Sequence, residues 1–146
     1  MKLDADLLWS DELEGVNWDE LAAMYRAVLG NKSAEHLRTV FHGSLFRCFV
    51  RRGGTLVAAG RALADGRDVA YIADVAVRAD LQGQGVGREI VKRLMRSAEG
   101  HKKIILYAVP GKEGFYAGLG FRRMNTAMAV FVDEAAALRS GVLSAD

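Results

Sequence analysis

Apolar residues first recur at helical spacing. Trp18, Leu21, Ala22, Tyr25, Val28 and Leu29 fall on one face. Asn17 stands at the N-cap position, and Glu20, three residues on, is the reciprocal member of a capping box. Gly30 and Asn31 end this helix. A short strand at Leu7, Leu8 and Trp9 precedes it, and a shorter helix over about 33–41 turns Leu37, Val40 and Phe41 inward. The pattern then becomes that of strands. Residues 45–51 run into Gly53-Gly54, a pair suited to positive φ, and 55–64 run into Asp65-Gly66, a second hairpin signal. Residues 69–77 are apolar on both faces except for Asp74, which predicts a strand inside the sheet.

A helix over about 85–98 packs Ile90, Val91, Leu94 and Ala98 along one side. Residues 103–108 read as another buried strand and 112–119 as a short helix. Residues 121–132 are expected to hold one or two final strands with a turn at Asn125, and the tail from Asp133 has helical composition. Hairpins followed by a strand–helix–strand crossover predict an α/β fold. Its central sheet is mixed and mostly antiparallel, it is flanked by helices, and the two crossover strands are parallel. No linker or repeat interrupts the pattern, so 1–146 reads as a single domain.

Composition narrows the function. At 146 residues the chain can bury a real core. A net charge of +2, with its basic residues scattered, does not describe a nucleic-acid partner. No apolar run approaches the roughly 20 residues that span a bilayer. Lys2, Asp4 and Asp6 break up the first ten residues, so a cytoplasmic protein is expected. Cys48 is the only cysteine, which excludes an internal disulfide or a thiolate metal cluster, and its apolar surroundings predict a packing role. No histidine pair has helical ligand spacing, and no metal is expected.

The chemistry concentrates in Asp80-Leu81-Gln82-Gly83-Gln84-Gly85-Val86-Gly87-Arg88, between a strand and a helix. Glycines there allow φ > 0 and close approach of a ligand to the backbone. Free N–H groups at the helix start, with the helix dipole, favour an anion such as a pyrophosphate. Gln82 and Arg88 can add side-chain hydrogen bonds. Spacing separates the families that use such loops. A dinucleotide loop of the form G-x-G-x-x-G, counted from Gly83, would place its third glycine at Arg88, and the lysine–hydroxyl pair of a P-loop is missing. The absent lysine also argues against an ATP-dependent transferase. The pattern Q-x-x-G-x-G is present as Gln82, Gly85 and Gly87, and it resembles the coenzyme A loop of the GCN5-related N-acetyltransferase (GNAT) family. Farther on, Phe115-Tyr116-Ala117-Gly118-Leu119-Gly120-Phe121 resembles the F-Y-x-x-x-G-F segment of the same family. The specific matches lie between about Asp74 and Phe121; the earlier half agrees only in element order.

The resemblance implies an acetyl-CoA-dependent N-acetyltransferase with acetyl-CoA as cosubstrate and an amine-bearing small molecule or peptide as acceptor. It implies a sheet splayed between the strands ending near Val77 and Ala108. Pantetheine would pair with Val75, Ala76 and Val77, and the pyrophosphate would rest on Gln82, Gly83, Gln84, Gly85, Val86, Gly87 and Arg88. The family often dimerises, so a homodimer is among the expectations. A coenzyme A-binding sensor without turnover would carry the same loop and is the competing reading.

Acyl transfer needs a neutral amine, a stabilised carbonyl oxygen and a protonated leaving thiolate. By the resemblance Tyr116 is the acid for the thiolate, and a backbone N–H near Val75 is the oxyanion donor. Asp74, the lone charge in its strand, is the candidate base; the alternative is a structural aspartate. Many family members carry an acid one position earlier, where this chain has Ala73. Glu113 is an alternative base or a solvated residue of a first helical turn. His42 borders the expected acceptor region, whereas His36 and His101 read as surface residues. The basic run Arg88, Lys92, Arg93 and Arg96 reads as a solvated helix face. Trp9, Trp18, Tyr25, Phe41 and Phe46 read as core before they read as an acceptor pocket.

Overall fold

The computed structural model describes residues 3–146. The elements in chain order are β1 (Leu7–Ser10), α1 (Trp18–Val28), α2 (Ala34–His42), β2 (Phe46–Arg52), β3 (Thr55–Ala64), β4 (Val69–Val77), α3 (Val86–Ser97), β5 (Lys103–Ile105), α4 (Glu113–Ala117) and α5 (Glu134–Arg139). A single 3-10 turn, Ala79–Leu81, lies between β4 and α3. The chain forms two compact units, Met1–Leu106 and Tyr107–Asp146.

The first unit holds a five-stranded sheet in the order β1-β2-β3-β4-β5. The first three pairings are antiparallel and β4–β5 is parallel, the mixed sheet predicted from the pattern. β4 lies between β3 and β5, which accounts for its apolar character on both faces. Two cores sandwich the sheet. Leu21, Met24 and Tyr25 of α1 and Leu37 and Phe41 of α2 pack with Phe49, Leu56, Ala59 and Ala76. Trp18 extends that cluster, edge-on to Phe49. On the opposite face α3 buries Val86, Ile90, Val91 and Leu94. Gly60 of β3 is the closest approach there: a Cβ would stand 2.7 Å from Cγ2 of the buried Ile90 and 3.3 Å from Cγ2 of Val75. Gly60→Ala is therefore expected to destabilise the fold by about 1–3 kcal/mol through overpacking. Thermal unfolding checks it, with a fall in Tm of several degrees.

The α1 cap differs in half from the pattern. Asn17 Oδ1 accepts from the Glu20 N–H at 3.0 Å as expected. The Glu20 carboxylate does not return to Asn17; its Oε1 accepts from the Leu56 N–H of β3 at 2.8 Å. The β2–β3 ladder shifts register at Val50/Arg51, across from the start of β3, and the Glu20 carboxylate serves a sheet N–H there.

In the second unit α4 and α5 fall where expected. Asp133 caps α5, its Oδ1 accepting from the Ala136 N–H at 2.9 Å. The expected final strands are absent: no strand occurs within 121–132, although a turn does occupy Asn125 and Thr126. A strand exists only through a paired ladder, and no neighbour supplies one to this segment among the described residues. β5 is likewise shorter than the expected 103–108.

Candidate active site

Two irregularities in β4 build the site. The first is where β5 leaves it. The parallel ladder covers Val69, Ala70 and Tyr71, paired with Lys103, Ile104 and Ile105, and no pairing with β5 follows. The ladder stops because β5 itself ends at Ile105, short of the Ala108 at which the resemblance ended the splayed strand. The second is a bulge. Ala59 pairs with Ala76 and Arg61 with Ala73, so Gly60 faces two residues, Asp74 and Val75. Asp74 has φ +55°, the only positive φ among the described non-glycine residues.

The bulge is held from three directions. The Tyr25 hydroxyl, on α1, donates to the Asp74 carbonyl oxygen at 2.5 Å. Arg61 Nε, on β3, donates to Asp74 Oδ2 at 2.7 Å. Lys32 Nζ, between α1 and α2, lies 3.5 Å from Oδ1. Arg61 also donates to Ser44 Oγ at 3.3 Å, and Ser44 Oγ donates to the Val40 carbonyl at 2.7 Å. Asp74 is thus ion-paired on both oxygens and nearly buried, the arrangement of a structural aspartate. Tyr25 is fully buried, and that burial, with the Asp74 charge added, pushes its pKa well above the ordinary tyrosine value. Its hydroxyl therefore stays a donor. The helical pattern marked Tyr25 as core; the signal it missed is that a buried tyrosine, unlike phenylalanine, needs a partner for its hydroxyl.

Beyond β4 the chain turns into the glycine loop. Leu81 and Val86 are buried and pin its two ends. Gly83 and Gly85 have φ +77° and +88°, with Gly85 as the N-cap of α3. Gln82 Nε2 donates to the Val77 carbonyl at 2.9 Å and Gln84 Nε2 to the Asp80 carbonyl at 3.0 Å, so both glutamines brace the loop. Arg78 makes a two-point pair with Asp80. Among the described residues the main-chain N–H groups of 83–88 make no hydrogen bond within the protein. They are donors at a helix N-terminus, where the dipole favours an anion. Gly83, Gln82, Gln84 and Arg88 are exposed.

In the second unit Tyr116 sits on α4. The Phe121 N–H returns to the Tyr116 carbonyl at 3.1 Å, through Gly120 at φ +98°. This closes the F-Y-x-x-x-G-F turn and sets Phe121 edge-on to Tyr116, which also meets Phe115 edge-on. Burial raises the Tyr116 pKa above its ordinary value. Glu113 accepts from the Gly111 N–H at 3.0 Å and so closes the turn before α4.

The remaining candidates have local partners. His42 Nδ1 meets the Arg38 carbonyl at 2.8 Å, and its ring packs near Trp18. His101 Nε2 accepts from the Gly66 N–H at 3.1 Å, which leaves the Nδ1 proton for the Ala98 carbonyl. It ties the β3–β4 turn to the end of α3. Glu89 pairs with Arg93 and Arg96, and Arg93 lies over the Trp9 ring at 4.4 Å. Cys48 is buried and its thiol is pushed up to about 12 by desolvation, so it stays a neutral packing group. No group of three or more metal-ligating side chains exists among the described residues.

A sequence profile described as the acetyltransferase (GNAT) family matches residues 7–121, from β1 to the last residue of the Phe115–Phe121 turn. The chain belongs to the GNAT acetyltransferase family. Glucosamine 6-phosphate N-acetyltransferase 1 of Oryza sativa subsp. japonica is 31% identical over 124 residues, covering 84% of this chain and 70% of that protein. The chloroplastic serotonin N-acetyltransferase 2 of the same organism is 43% identical over 70 residues, covering 47% of this chain and 35% of that protein. A solved structure from Deinococcus radiodurans R1 superposes with a TM-score of 0.79 at 25% identity, covering 88% of this chain and 90% of that one. A GNAT family protein from Streptococcus pneumoniae TIGR4 shares the fold with a TM-score of 0.75 at 20% identity, covering 87% of this chain and 98% of that one. GNAT enzymes take their acetyl group from acetyl-CoA, and the run of free N–H groups after β4 fits the pyrophosphate of that cosubstrate.

Proposed function

We propose that this GNAT member transfers acetyl from acetyl-CoA to the primary amine of a small molecule or peptide by direct attack on the thioester. The observation that carries this reading is the β4 strand. It loses β5 after Tyr71, bulges at Asp74 and runs into a loop of free N–H donors. On this reading Val75, Ala76 and Val77 pair with pantetheine, and residues 82–88 receive the pyrophosphate. The bulge supplies a main-chain N–H to the thioester oxygen, where negative charge develops.

The amine nitrogen bonds to the acetyl carbon and the C–S bond breaks. Tyr116 is the acid that protonates the departing sulfur and is itself reprotonated from water. The amine proton leaves to water. Asp74 keeps its carboxylate on Arg61 and Lys32, and it serves the reaction through its backbone. The two rice relatives are named for a sugar phosphate and an indole amine, and both of these compounds carry a primary amine. A cytoplasmic location and a homodimer, the second resting on family habit, complete the proposal.

Calorimetry with acetyl-CoA, using ATP and NAD as controls, tests the cosubstrate. Coenzyme A release in the presence of a panel of amines, glucosamine 6-phosphate and serotonin among them, tests the activity. Selective acetyl-CoA binding with amine-dependent release is expected. Binding without release for any amine would favour the sensor reading, and a folded protein that binds nothing would overturn the assignment of the loop.

A further inference from the structure

We infer that Tyr25 and Arg61 are positioning residues for acyl transfer. They hold the bulge at Asp74 in the one orientation that aims the Val75 N–H at the thioester oxygen. The inference rests on the reading above, in which the bulge supplies the oxyanion donor.

The geometry begins with one peptide plane. The Asp74 carbonyl and the Val75 N–H belong to the same peptide group, and no cis bond occurs among the described residues. In a planar trans peptide the C=O and N–H vectors point in opposite directions. The Tyr25 hydroxyl pins the carbonyl toward α1. The N–H of Val75 is thereby turned away from α1. A side chain on a helix 49 residues earlier thus sets the direction of a main-chain donor.

Arg61 and Lys32 act on the other half of the residue. Aspartate tolerates the left-handed region better than most residues but lacks the freedom of glycine. Ion pairs to both carboxylate oxygens hold the side chain, and with it the φ of +55°. Arg61 cannot drift, because Ser44 holds its NH1 and is itself fixed to Val40 at the end of α2. A phenylalanine at position 25 would fill the same core space. The hydroxyl has one role visible in the structure, and that role is the Asp74 carbonyl.

The test reads the carbonyl itself. Infrared spectra of acetyl-CoA labelled with carbon-13 at the thioester carbonyl are recorded free and bound to wild type, Tyr25→Phe and Arg61→Met. Steady-state kinetics and thermal melts accompany them. In wild type the band moves to lower frequency on binding. In Tyr25→Phe it moves back toward the free value and kcat falls by about tenfold or more, part of the 10²–10³ that a whole oxyanion donor supplies. The KM for acetyl-CoA stays within about twofold, because pantetheine and pyrophosphate contacts are intact. Arg61→Met shifts both readouts in the same direction, and Arg61→Lys recovers part of the loss. The Arg61 pair carries the test alone if Tyr25→Phe does not fold. A wild-type shift that the variants keep, with full kcat, would overturn the positioning role, as would lower melting points with an unmoved band. A wild type with no shift at all would instead sink the oxyanion reading beneath it.

Discussion

Tyr116→Phe loses about two to three orders of magnitude in turnover and keeps its affinity for acetyl-CoA. The hydroxyl is partly buried, and burial raises its pKa above the ordinary tyrosine value of about 10. It therefore holds its proton across the neutral range, as an acid for a departing thiolate must. A positioned general acid contributes roughly 10²–10⁴-fold, which sets the size of the loss. Phenylalanine keeps both edge-on contacts, to Phe115 and Phe121, so the turn survives. The sign of the pH dependence follows from the same shift. Wild-type kcat has an alkaline limb only above the ordinary tyrosine pKa, where the acid form is lost, and the variant lacks that limb. Steady-state kinetics against pH, with calorimetry for binding, measure both. Unchanged turnover would take Tyr116 out of the mechanism.

Gly85→Glu abolishes acetyl-CoA binding, with a rise in Kd of about a hundredfold or more. Three effects add at this residue. Gly85 caps α3 in the left-handed region at φ +88°, which a side chain resists. The new side chain stands among the free N–H groups proposed to receive the pyrophosphate. Its charge opposes the incoming anion where the helix dipole favours one. Charge repulsion alone would weaken binding less, because exposed charges are well screened. Calorimetry on a sample shown to be folded decides the matter. Gly85→Ala, which adds strain without charge, should lose less affinity. Wild-type affinity in the glutamate variant would show that the loop does something else.

Much of this was legible in the chain because it is local. The hairpin pairs Gly53-Gly54 and Asp65-Gly66 bracket β3 at its observed ends. Asp65 Oδ1 accepts from the Arg67, Asp68 and Val69 N–H groups, the short-range bonding that makes the residue a turn former. Asn17 and Ser33 cap their helices through bonds three residues long. The loop and the Phe115–Phe121 turn are compact motifs in which glycine spacing carries the geometry.

What escaped is long-range. Glu20 has the right spacing for a capping box, yet its carboxylate serves an N–H 36 residues away. Asp74 was marked as the odd charge in β4, but no local rule names Tyr25, Lys32 and Arg61 as its partners. Residues 121–132 read as one or two strands, ending in the apolar run 127–132, and a strand is a property of two segments rather than one. An apolar pattern records what a residue prefers to touch; it does not record which neighbour the fold delivers.

The bulge at Asp74 also inverts the parity of β4. Ile72 pairs with Ala62 on the side of the sheet that carries α3. Counted in twos, Ala76 would face that way too. Instead it lies against α1 and α2 with Ala59, while Val75 turns toward Gly60 and α3. One inserted residue lets both stretches of the strand present their small and branched side chains to the cores that fit them. A deletion at position 74 would therefore do more than shorten a strand. It would turn residues 75–77 inside out, exchanging the two layers of the protein along the stretch where the cosubstrate is proposed to lie. Length at this point of the chain is as tightly constrained as any side chain, and alignments of distant relatives should carry no gap there.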